Sequence, residues 1–355
     1  MPAYKDEKKD NWYVAFYFTD WQGKKVKKLK RGFDTKKEAL AWEREFLQQQ
    51  SADLSMKFEK FVEIYSEDVK ARLKESTWLT KEHIINTKIL PYFKEKPINE
   101  IQAKDIIQWQ NLMIKSKKSN GEAYSPVYLR TLGSQLSAIF NHAVRFYDLK
   151  SNPVQKAGQM GKKKGLEVEF WTKEEYLLFA DVMRDKSLSY YAYQMLYWTG
   201  LRMGELLALT SKDFDFKQKT VTVSKSYQRI KGQDVITSPK TEKSNRTISM
   251  PDFLCEEMEE FIASHYDLQD TDRIFPITKS YLHSEMKRGC KVSGVKHIKV
   301  HATRHSHVSL LIEMGFSVVA IANRVGHESE NITYQYCHLF PNTERAIADQ
   351  LTMED

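Results

Sequence analysis

The sequence predicts a mainly α-helical fold with small β-sheets, of the α+β class. Apolar residues at helical spacing dominate residues 55–150 and return after Pro251, whereas strand-like runs are confined to residues 12–31 and 219–249. The chain has 355 residues, of which 41% are hydrophobic, so it is long enough to build about two or three domains. We therefore expect small sheets attached to helical domains.

Charge and cysteine content narrow the class of protein. The net charge of +8 suits a polyanionic partner such as nucleic acid, although a generally lysine-rich protein would show the same surplus. The three cysteines are widely spaced and form no C-x-x-C pair, which argues against a disulfide framework or a zinc site. No apolar run reaches the roughly 20 residues of a membrane span, and the first residues lack the apolar core of a signal peptide. We expect no membrane association and a location in the cytoplasm of a bacterial cell or a phage-infected host.

The sequence of residues 1–54 predicts a small three-stranded sheet backed by one helix. Strand-like runs at 12–18 and 26–31 flank the turn D-W-Q-G-K, and a helix follows at about 36–49. A sheet of this kind can enter the major groove of DNA. The candidates for contact with DNA are Tyr13, Tyr17, Lys24, Lys25, Lys27, Lys28 and Lys30. In the alternative interpretation the aromatic residues form a core and the lysines keep an edge strand soluble.

Residues 55–150 predict a purely helical domain. Pro91 is expected to end the second helix, and Ser125 and Pro126 supply the cap residue and the first-turn proline of the last one. The predicted helices cover residues of about 58–69, 77–90, 103–114 and 126–144.

Residues 151–167 predict an exposed basic linker, because they are rich in glycine and lysine and poor in apolar residues. Lys162, Lys163 and Lys164 are candidates for contact with the DNA backbone. A flexible, solvated joint is a compatible interpretation of the same segment.

Residues 168–355 form the last predicted domain. Thr172 and Glu175 have the spacing of a capping box at the start of its first helix. Strand-like runs at 221–224, 234–237 and 246–250 interrupt the helical pattern.

Six side chains of this domain could together hold a phosphodiester and attack it. They are Arg202, Lys240, His301, Arg304, His327 and Tyr336. Guanidiniums can neutralise a phosphate, a tyrosine oxygen can attack phosphorus, and lysine and histidine can move the protons. The ordinary pKa of tyrosine is about 10, so nearby guanidiniums would have to favour the phenolate.

Taken alone, each of these residues has a plainer interpretation. Arg202 begins the short helix of G-L-R-M-G-E-L, where an arginine is more often part of a surface ion pair. Lys240 lies in an expected hairpin loop and would usually be a solvated turn residue, with Lys243 and Arg246 as neighbouring competitors. Tyr336 has a rival in Tyr334, two residues earlier.

Local spacing supports two further expectations. His301 and Arg304 are three residues apart and would share one face of a helix that ends near Met314 and Gly315. Glu205 is expected to orient neighbouring groups and not to react.

The order and spacing of these motifs resemble the tyrosine recombinases, also called phage-type integrases. The matching segments are T-G-L-R-M-G-E-L-L-A-L, S-P-K-T-E-K-S-N-R-T-I, H-A-T-R-H-S-H-V-S-L-L, V-G-H-E-S and Y-Q-Y-C-H-L, which cover nearly all of residues 168–340. Residues 55–150 resemble the core-binding domain of the family, and residues 1–54 resemble the arm-site DNA-binding domain of integrases from mobile elements. The chain departs from the family at Ala302 and Thr303, where Asp-Leu is more usual, but these two positions are not the catalytic ones.

The resemblance implies a role for each candidate residue. Arg202, Arg304 and His327 would bind the scissile phosphate. Lys240 would protonate the departing 5′-oxygen, and His301 would assist proton transfer at the tyrosine.

The resemblance also implies the nucleophile. Tyr336 would form a 3′-phosphotyrosine, because its Tyr-x-His setting with His338 fits the family better than Tyr334 does. Since the covalent intermediate retains the phosphodiester linkage, we expect no ATP, no metal and no other cofactor.

The implied partners are double-stranded DNA at core and arm attachment sites, a homotetramer on that DNA, and an accessory excision or directionality factor. The implied reaction integrates or excises a mobile element. The alternatives are a chromosome-dimer-type recombinase, a type IB topoisomerase-like enzyme and a non-catalytic DNA-binding regulator. The tail at residues 343–355 would either dock on a neighbouring subunit or pack on its own chain.

Overall fold

The structure, a computed structural model, describes residues 3–6, 11–19, 25–51, 53–162, 169–238, 244–265 and 267–327. The chain divides into two compact units, Met1–Gly165 and Leu166–Asp355. Several residues named above lie outside the described ranges. They are Lys24, Lys163, Lys164, Lys240, Lys243, Tyr334, Tyr336, His338 and the tail at 343–355.

The first unit begins with a three-stranded antiparallel sheet and one helix, as predicted. The elements are β1 (Ala3–Asp6), β2 (Asn11–Thr19), β3 (Lys25–Phe33) and α1 (Lys36–Ser51), and the strands lie in the order β1-β2-β3. Ala3, Val14, Phe16 and Ala39 form the small buried core between sheet and helix. The sequence pattern locates only β2 and β3, since A-Y-K-D is too short and polar to show an alternation.

Six α-helices follow among the described residues of the same unit. They are α2 (Phe58–Lys70), α3 (Glu75–Ile84), α4 (Leu90–Phe93), α5 (Ala103–Lys115), α6 (Pro126–Phe146) and α7 (Pro153–Ala157). Aromatic residues dominate their common core, where Phe58 packs on Phe93 and Phe140, and Phe93 packs on Trp109. Ser125 caps α6 as expected, because its hydroxyl accepts a hydrogen bond from the Tyr128 N–H.

The expectation that Pro91 ends a helix is wrong. Residues Ile85–Ile89 form a π turn between α3 and α4, and Pro91 lies in the first turn of α4. A proline lacks the N–H of a regular helix and its ring collides with the carbonyl four residues earlier. The wider π turn accommodates that defect, so the helical path continues through the proline instead of stopping there.

The expectation of an exposed linker is wrong for residues 152–154 and for Met160, whereas Lys162 at the end of the described segment is exposed. Val154 and Met160 are buried in the helical core, and the Asn152 amide donates to the Ser137 backbone oxygen and hydroxyl. Gly161 has a φ of +75°, and a Cβ there would lie 2.0 Å from the Pro126 oxygen. Gly161 is therefore required for close packing on α6, a role that composition alone cannot distinguish from that of a glycine in a solvated joint.

The second unit contains seven helices among its described residues. They are α8 (Lys173–Met183), α9 (Ser187–Thr199), α10 (Met203–Leu206), α11 (Asp252–Ala263), α12 (Lys279–Ser293), α13 (Ala302–Glu313) and α14 (Val318–Val325). The predicted capping box is present at α8, where the Thr172 N–H donates to Glu175 and the Glu175 N–H donates to Thr172. Tyr193 and Tyr197 of α9 are buried in the main core of this unit.

Five strands form two small sheets beside these helices. The strands are β4 (Phe214–Asp215), β5 (Thr220–Val223), β6 (Ser226–Ile230), β7 (Gln233–Thr237) and β8 (Arg246–Ser249). The sheet orders are β4-β5-β8 and β6-β7. The predicted mixture of helices and small sheets is thus confirmed. The described strands on either side of Lys240 belong to different sheets: β7 pairs with β6, a strand that the sequence pattern does not show, and β8 pairs with β5.

Candidate active site

The site is organised by the C-terminal end of α14. Gly326 has φ +67°, its N–H donates to the Asn323 oxygen, and the His327 N–H donates to the Ala322 oxygen. This is a Schellman cap, which requires a residue that tolerates the left-handed conformation. The V-G-H motif therefore has a local cause: the glycine turns the chain and leaves the next carbonyls of the helix end available to other donors.

Three arginines from three elements donate to those three successive carbonyls. The Arg246 Nε lies 3.0 Å from the oxygen of residue 324, Arg304 Nη2 donates to the oxygen of residue 325, and Arg202 Nη2 lies 2.9 Å from the oxygen of residue 326. Guanidiniums suit this position, because the C-terminal end of a helix carries partial negative charge. We call these three carbonyls, of residues 324–326, the carbonyl ladder.

Glu205 joins two of these arginines. Its carboxylate accepts the Arg202 N–H and Arg202 Nη1 at 2.9 and 2.7 Å, and it accepts both terminal nitrogens of Arg246. Burial alone would raise the pKa of the Glu205 carboxyl, but the bonds and charge of Arg246, followed by those of Arg202, hold that pKa below its ordinary value. Glu205 is thus a buried anion that orients the guanidinium of Arg202, as its position in the motif predicts.

Arg304 is the most buried of the predicted catalytic residues that the structure describes. It is 2% exposed, and its Nη1 donates to the Gly200 oxygen at 2.7 Å while Nη2 donates to the ladder. Gly200 ends α9 with φ +67°, and a Cβ there would lie 2.6 Å from the His307 ring. The T-G-L-R motif therefore needs glycine both for its turn and for the close approach of α13.

His307 and Arg324 form a second layer behind the ladder. The Arg324 Nε donates to His307 Nε2 at 3.1 Å, and its Nη2 donates to the backbone oxygens of Trp198 and Ser249. A guanidinium can only donate, so His307 accepts through Nε2 and is neutral. Burial, with the charges of Arg324 and Arg304, lowers the pKa of His307 to about 3.

His327 follows the ladder and is also neutral. Burial, followed by the charges of Arg304 and Arg202, lowers its pKa to about 3. A neutral imidazole can still donate one hydrogen bond to an oxyanion without repelling the arginines. Around the ladder, the described residues thus combine four guanidiniums, one carboxylate and two neutral histidines.

His301 precedes α13 as its N-cap residue and is exposed. Its ring lies 5.2 Å from the ring of His305, and the charge of His305 contributes to the low pKa of His327. His301 is thus at the edge of the site, one helical turn from the buried groups.

Of the six predicted residues, the structure brings Arg202, Arg304 and His327 together and places His301 beside them. Lys240 and Tyr336 lie outside the described residues. Sequence reasoning missed three members of the site, Arg246, His307 and Arg324, and treated Arg246 only as a competitor of Lys240. The spacing of Arg304 and His307 was an available signal, since residues three apart on a helix share a face.

The N-terminal sheet separates the predicted DNA-contacting residues into two faces. Tyr13 lies opposite Arg31, and Tyr17 lies opposite Lys27, on the face away from α1. Lys28 and Lys30 lie opposite the buried residues Phe16 and Val14, and so point to the α1 side.

The face of the sheet away from α1, which we call the open face, also carries residues that the sequence pattern does not single out. Tyr4 stacks on Tyr13 at 5.4 Å, and Arg31 lies 5.3 Å from the Tyr13 ring. Lys25 is two residues from Lys27 and shares its face. Lys162, in the other candidate segment, is exposed, and its N–H donates to the Pro126 oxygen.

The described residues contain neither a candidate membrane span nor a candidate metal site. No helix there is long and apolar enough to cross a membrane. In the same residues, no group of three or more histidine, cysteine or acidic side chains could hold a metal ion.

Comparison with known proteins identifies the family. Residues 169–343 match the model of the phage integrase family, residues 57–114 that of the phage integrase N-terminal SAM-like domain, and residues 2–50 that of the Arm DNA-binding domain. The chain is 31% identical to the ICEBs1 integrase of Bacillus subtilis (strain 168) over 361 residues, which cover 95% of each chain. The chain belongs to the phage integrase family. It is accordingly a tyrosine recombinase, an enzyme of site-specific DNA strand breaking and rejoining.

Solved structures of other integrases share the fold. The Tn1549 transposon integrase in complex with transposon right end DNA is 21% identical with a TM-score of 0.67, and the match covers 83% of this chain and 99% of that one. The lambda integrase tetramer bound to a Holliday junction is 18% identical with a TM-score of 0.59, and the match covers 94% of each chain. The arginines and histidines around the ladder thus lie on a tyrosine recombinase fold.

Proposed function

We propose that this integrase cleaves double-stranded DNA with Tyr336 while Arg202, Arg304 and His327 hold the scissile phosphate. The observation that carries the proposal is the carbonyl ladder, which fixes Arg202 and Arg304 on adjacent carbonyls directly before His327. Two guanidiniums and a neutral imidazole donor form a suitable clamp for the equatorial oxygens of a five-coordinate phosphoryl transition state.

In the proposed reaction the phenolic oxygen of Tyr336 attacks phosphorus, and the bond to the 5′-oxygen of the next nucleotide breaks. Lys240 gives a proton to that departing oxygen, and His301 assists removal of the phenolic proton. The product is a 3′-phosphotyrosine and a free 5′-hydroxyl. Attack by a 5′-hydroxyl of another strand reverses the chemistry, so rejoining needs no external energy source.

The fixed arginines support this chemistry electrostatically. Arg304 is buried and Arg202 is 35% exposed, so one guanidinium is rigid and the other is open to a ligand. Because donors held in advance need no reorganisation when charge develops, they stabilise the transition state more than free cations would. They also favour the phenolate form of a tyrosine that approaches them.

Partners and assembly are further parts of the proposal. Solved integrases of this fold are described as bound to transposon end DNA and as a tetramer on a Holliday junction. We infer that this chain acts as a homotetramer, which binds core sites through its helical and catalytic domains and arm sites through its N-terminal sheet. Its reaction, in the cytoplasm, would integrate or excise a mobile element, with an accessory factor setting the direction.

The domain limits that accompany this proposal are 1–54, 55–150 and 168–355. Deletion of residues 1–54 is expected to weaken binding to distal arm sites and to spare cleavage of a core site. Loss of both activities would contradict the assignment of the sheet to arm binding.

A strand-cleavage assay tests the chemistry. Wild-type protein and the Tyr334→Phe variant should form a covalent adduct with nicked core-site DNA, whereas Tyr336→Phe should form none. An adduct with Tyr336→Phe would overturn the assignment of the nucleophile. Relaxation of supercoils without any recombinant product would favour the topoisomerase-like alternative.

A further inference from the structure

We infer that Arg246 is a positioning residue for strand cleavage, acting through Glu205 on the guanidinium of Arg202. The inference rests on the proposed function, because it concerns the same phosphate site. All three guanidinium nitrogens of Arg246 donate to acceptors inside the unit, namely the oxygen of residue 324, the Ser244 oxygen and the Glu205 carboxylate, and its side chain is 6% exposed.

Hydrogen bonds link Arg246 to both groups that position Arg202, which are the Glu205 carboxylate and the carbonyl ladder. Its two terminal nitrogens hold the Glu205 carboxylate at 3.3 and 2.8 Å, and the same carboxylate holds Arg202 Nη1 at 2.7 Å. Its Nε donates to the first carbonyl of the ladder, whose third carbonyl accepts from Arg202. Arg202 is therefore positioned by two groups, Glu205 and the ladder, and Arg246 contacts both.

The charges explain why this position requires an arginine. Glu205 is 4% exposed and accepts from both Arg202 and Arg246. Without Arg246, the buried carboxylate would be left with Arg202 as its only guanidinium partner among the described residues and would draw that guanidinium toward itself. Since a phosphate must compete with Glu205 for Arg202, the second arginine leaves Arg202 freer to bind the phosphate.

The shape of the side chain matters as well as its charge. A lysine at position 246 keeps the charge but cannot offer two parallel donors to a carboxylate and a third donor to a carbonyl. We therefore expect an intermediate defect in Arg246→Lys and a larger one in Arg246→Met.

The test measures single-turnover cleavage of nicked core-site DNA by the full-length protein. Because a misplacement of about 1 Å can cost roughly 100-fold in rate, we expect a loss of about 100-fold for Arg246→Met and about 10-fold for Arg246→Lys. DNA affinity should change less than about threefold. Arg288→Met is the matched control: Arg288 also holds a buried carboxylate, Glu285, and none of its described bonds reaches the ladder, Glu205 or Arg202.

A neutral scissile phosphate separates positioning from general destabilisation. If Arg246 acts through Arg202 on the charge of the phosphate, a methylphosphonate at the cleavage site should shrink the defects of Arg202→Ala and Arg246→Met to a similar extent. The residual defect of Arg288→Met should be the same on both substrates. The variant Glu205→Gln combined with Arg246→Met should be no slower than the slower single variant.

Three results would overturn the inference. One is cleavage by Arg246→Met within threefold of wild type. Another is a defect that is equal on the phosphate and the methylphosphonate, and the third is a defect that multiplies with that of Glu205→Gln. Failure of the proposed function would look different, because Arg202→Ala or Tyr336→Phe would then cleave normally.

Discussion

Two basic regions of this integrase hold their cations in opposite ways. Around the carbonyl ladder, Arg246 and Arg304 are buried and bonded to backbone oxygens and a carboxylate. On the open face of the N-terminal sheet, Lys25 and Lys27 are exposed, and Tyr17 beside them is 61% exposed. The cations of the first region are therefore fixed by bonds within the protein, whereas those of the second region are exposed to solvent.

The difference follows from the task that each region is proposed to perform. Stabilising a transition state requires donors at fixed positions, and the cost of burying the arginines is offset by carbonyls and by Glu205. Binding a DNA backbone requires only that charge be near many phosphates, for which flexible surface lysines suffice.

The largest effect is expected at Arg304. In Arg304→Lys a single ammonium cannot donate to the Gly200 oxygen and the ladder in the same geometry, so the phosphate clamp should lose a fixed donor. We expect single-turnover cleavage to slow by on the order of 10²–10³-fold while core-site affinity changes little. A variant that cleaves within tenfold of wild type would show that rigid placement is unimportant here.

Substitution of Gly200 should have the next largest effect. It should lower the stability of this unit and leave the charges at the phosphate site unchanged. Gly200→Ala adds a Cβ 2.6 Å from the His307 ring, in addition to the cost of the left-handed conformation. We expect a loss of roughly 2–4 kcal/mol in the free energy of unfolding of this unit, followed by thermal denaturation.

Gly294→Ala is the control for this prediction. Gly294 also ends a helix, α12, in the left-handed conformation, but no atom would lie within 4 Å of the added Cβ. It should lose only about 1–2 kcal/mol. Equal losses of stability in the two variants would mean that the His307 ring of α13 does not lie close enough to Gly200 to collide with an added Cβ.

The sequence motifs indicate the residues that the structure brings together at the carbonyl ladder better than they indicate the residues that support them. Arg202, Arg304 and His327 were found because motifs carry functional groups at recognisable spacing. Arg246 and Arg324 were missed because nothing in R-T-I-S or N-R-V-G shows that two segments far apart in sequence meet at one helix end. Lys240 and Tyr336 remain predictions.

The fold shows the same limits. Long periodic helices such as α5 and α6 were placed within a few residues, because burial on one face imposes the pattern. The π turn before Pro91 and the packed segment around Gly161 were misjudged, since proline and glycine signal a break whether the chain leaves the core or packs against it.

Lowering the pH should reduce the stability of the region around the carbonyl ladder more than that of the other unit. In the unfolded chain His307 takes up a proton near pH 6.5, whereas in the folded chain its pKa is about 3. Between these values the unfolded state binds more protons, so lowering the pH reduces the free energy of unfolding by up to about 1.4 kcal/mol per pH unit for this residue.

Hydrogen exchange of the α13 amides between pH 4.5 and 6.5, corrected for intrinsic rates, measures this slope. His307→Gln should reduce the slope in α13 and leave the amides of α6, in the other unit, unchanged. An unchanged slope in α13 would contradict the proposed neutral state of His307.

The smallest effect is expected on the N-terminal sheet. Replacing Lys25 and Lys27 with glutamine removes cations from the open face and should lower arm-site affinity a few-fold. The slope of log affinity against log salt should fall by roughly 0.9 per lost phosphate contact. The matched variant replaces Lys28 and Lys30, which lie on the α1 side, and should change the slope less. Equal changes of this slope in the two double variants would mean that the open face does not contact the DNA.

The most direct test of the account is to map the covalent bond. Trapped adduct from wild-type protein and nicked core-site DNA can be digested with trypsin and nuclease, and the nucleotide-bearing peptide sequenced by mass spectrometry. The account predicts the nucleotide on Tyr336, with adduct formation strongly reduced in Arg202→Ala and Arg304→Ala. A nucleotide on Tyr334 or on any other side chain, or full adduct formation without these arginines, would contradict it.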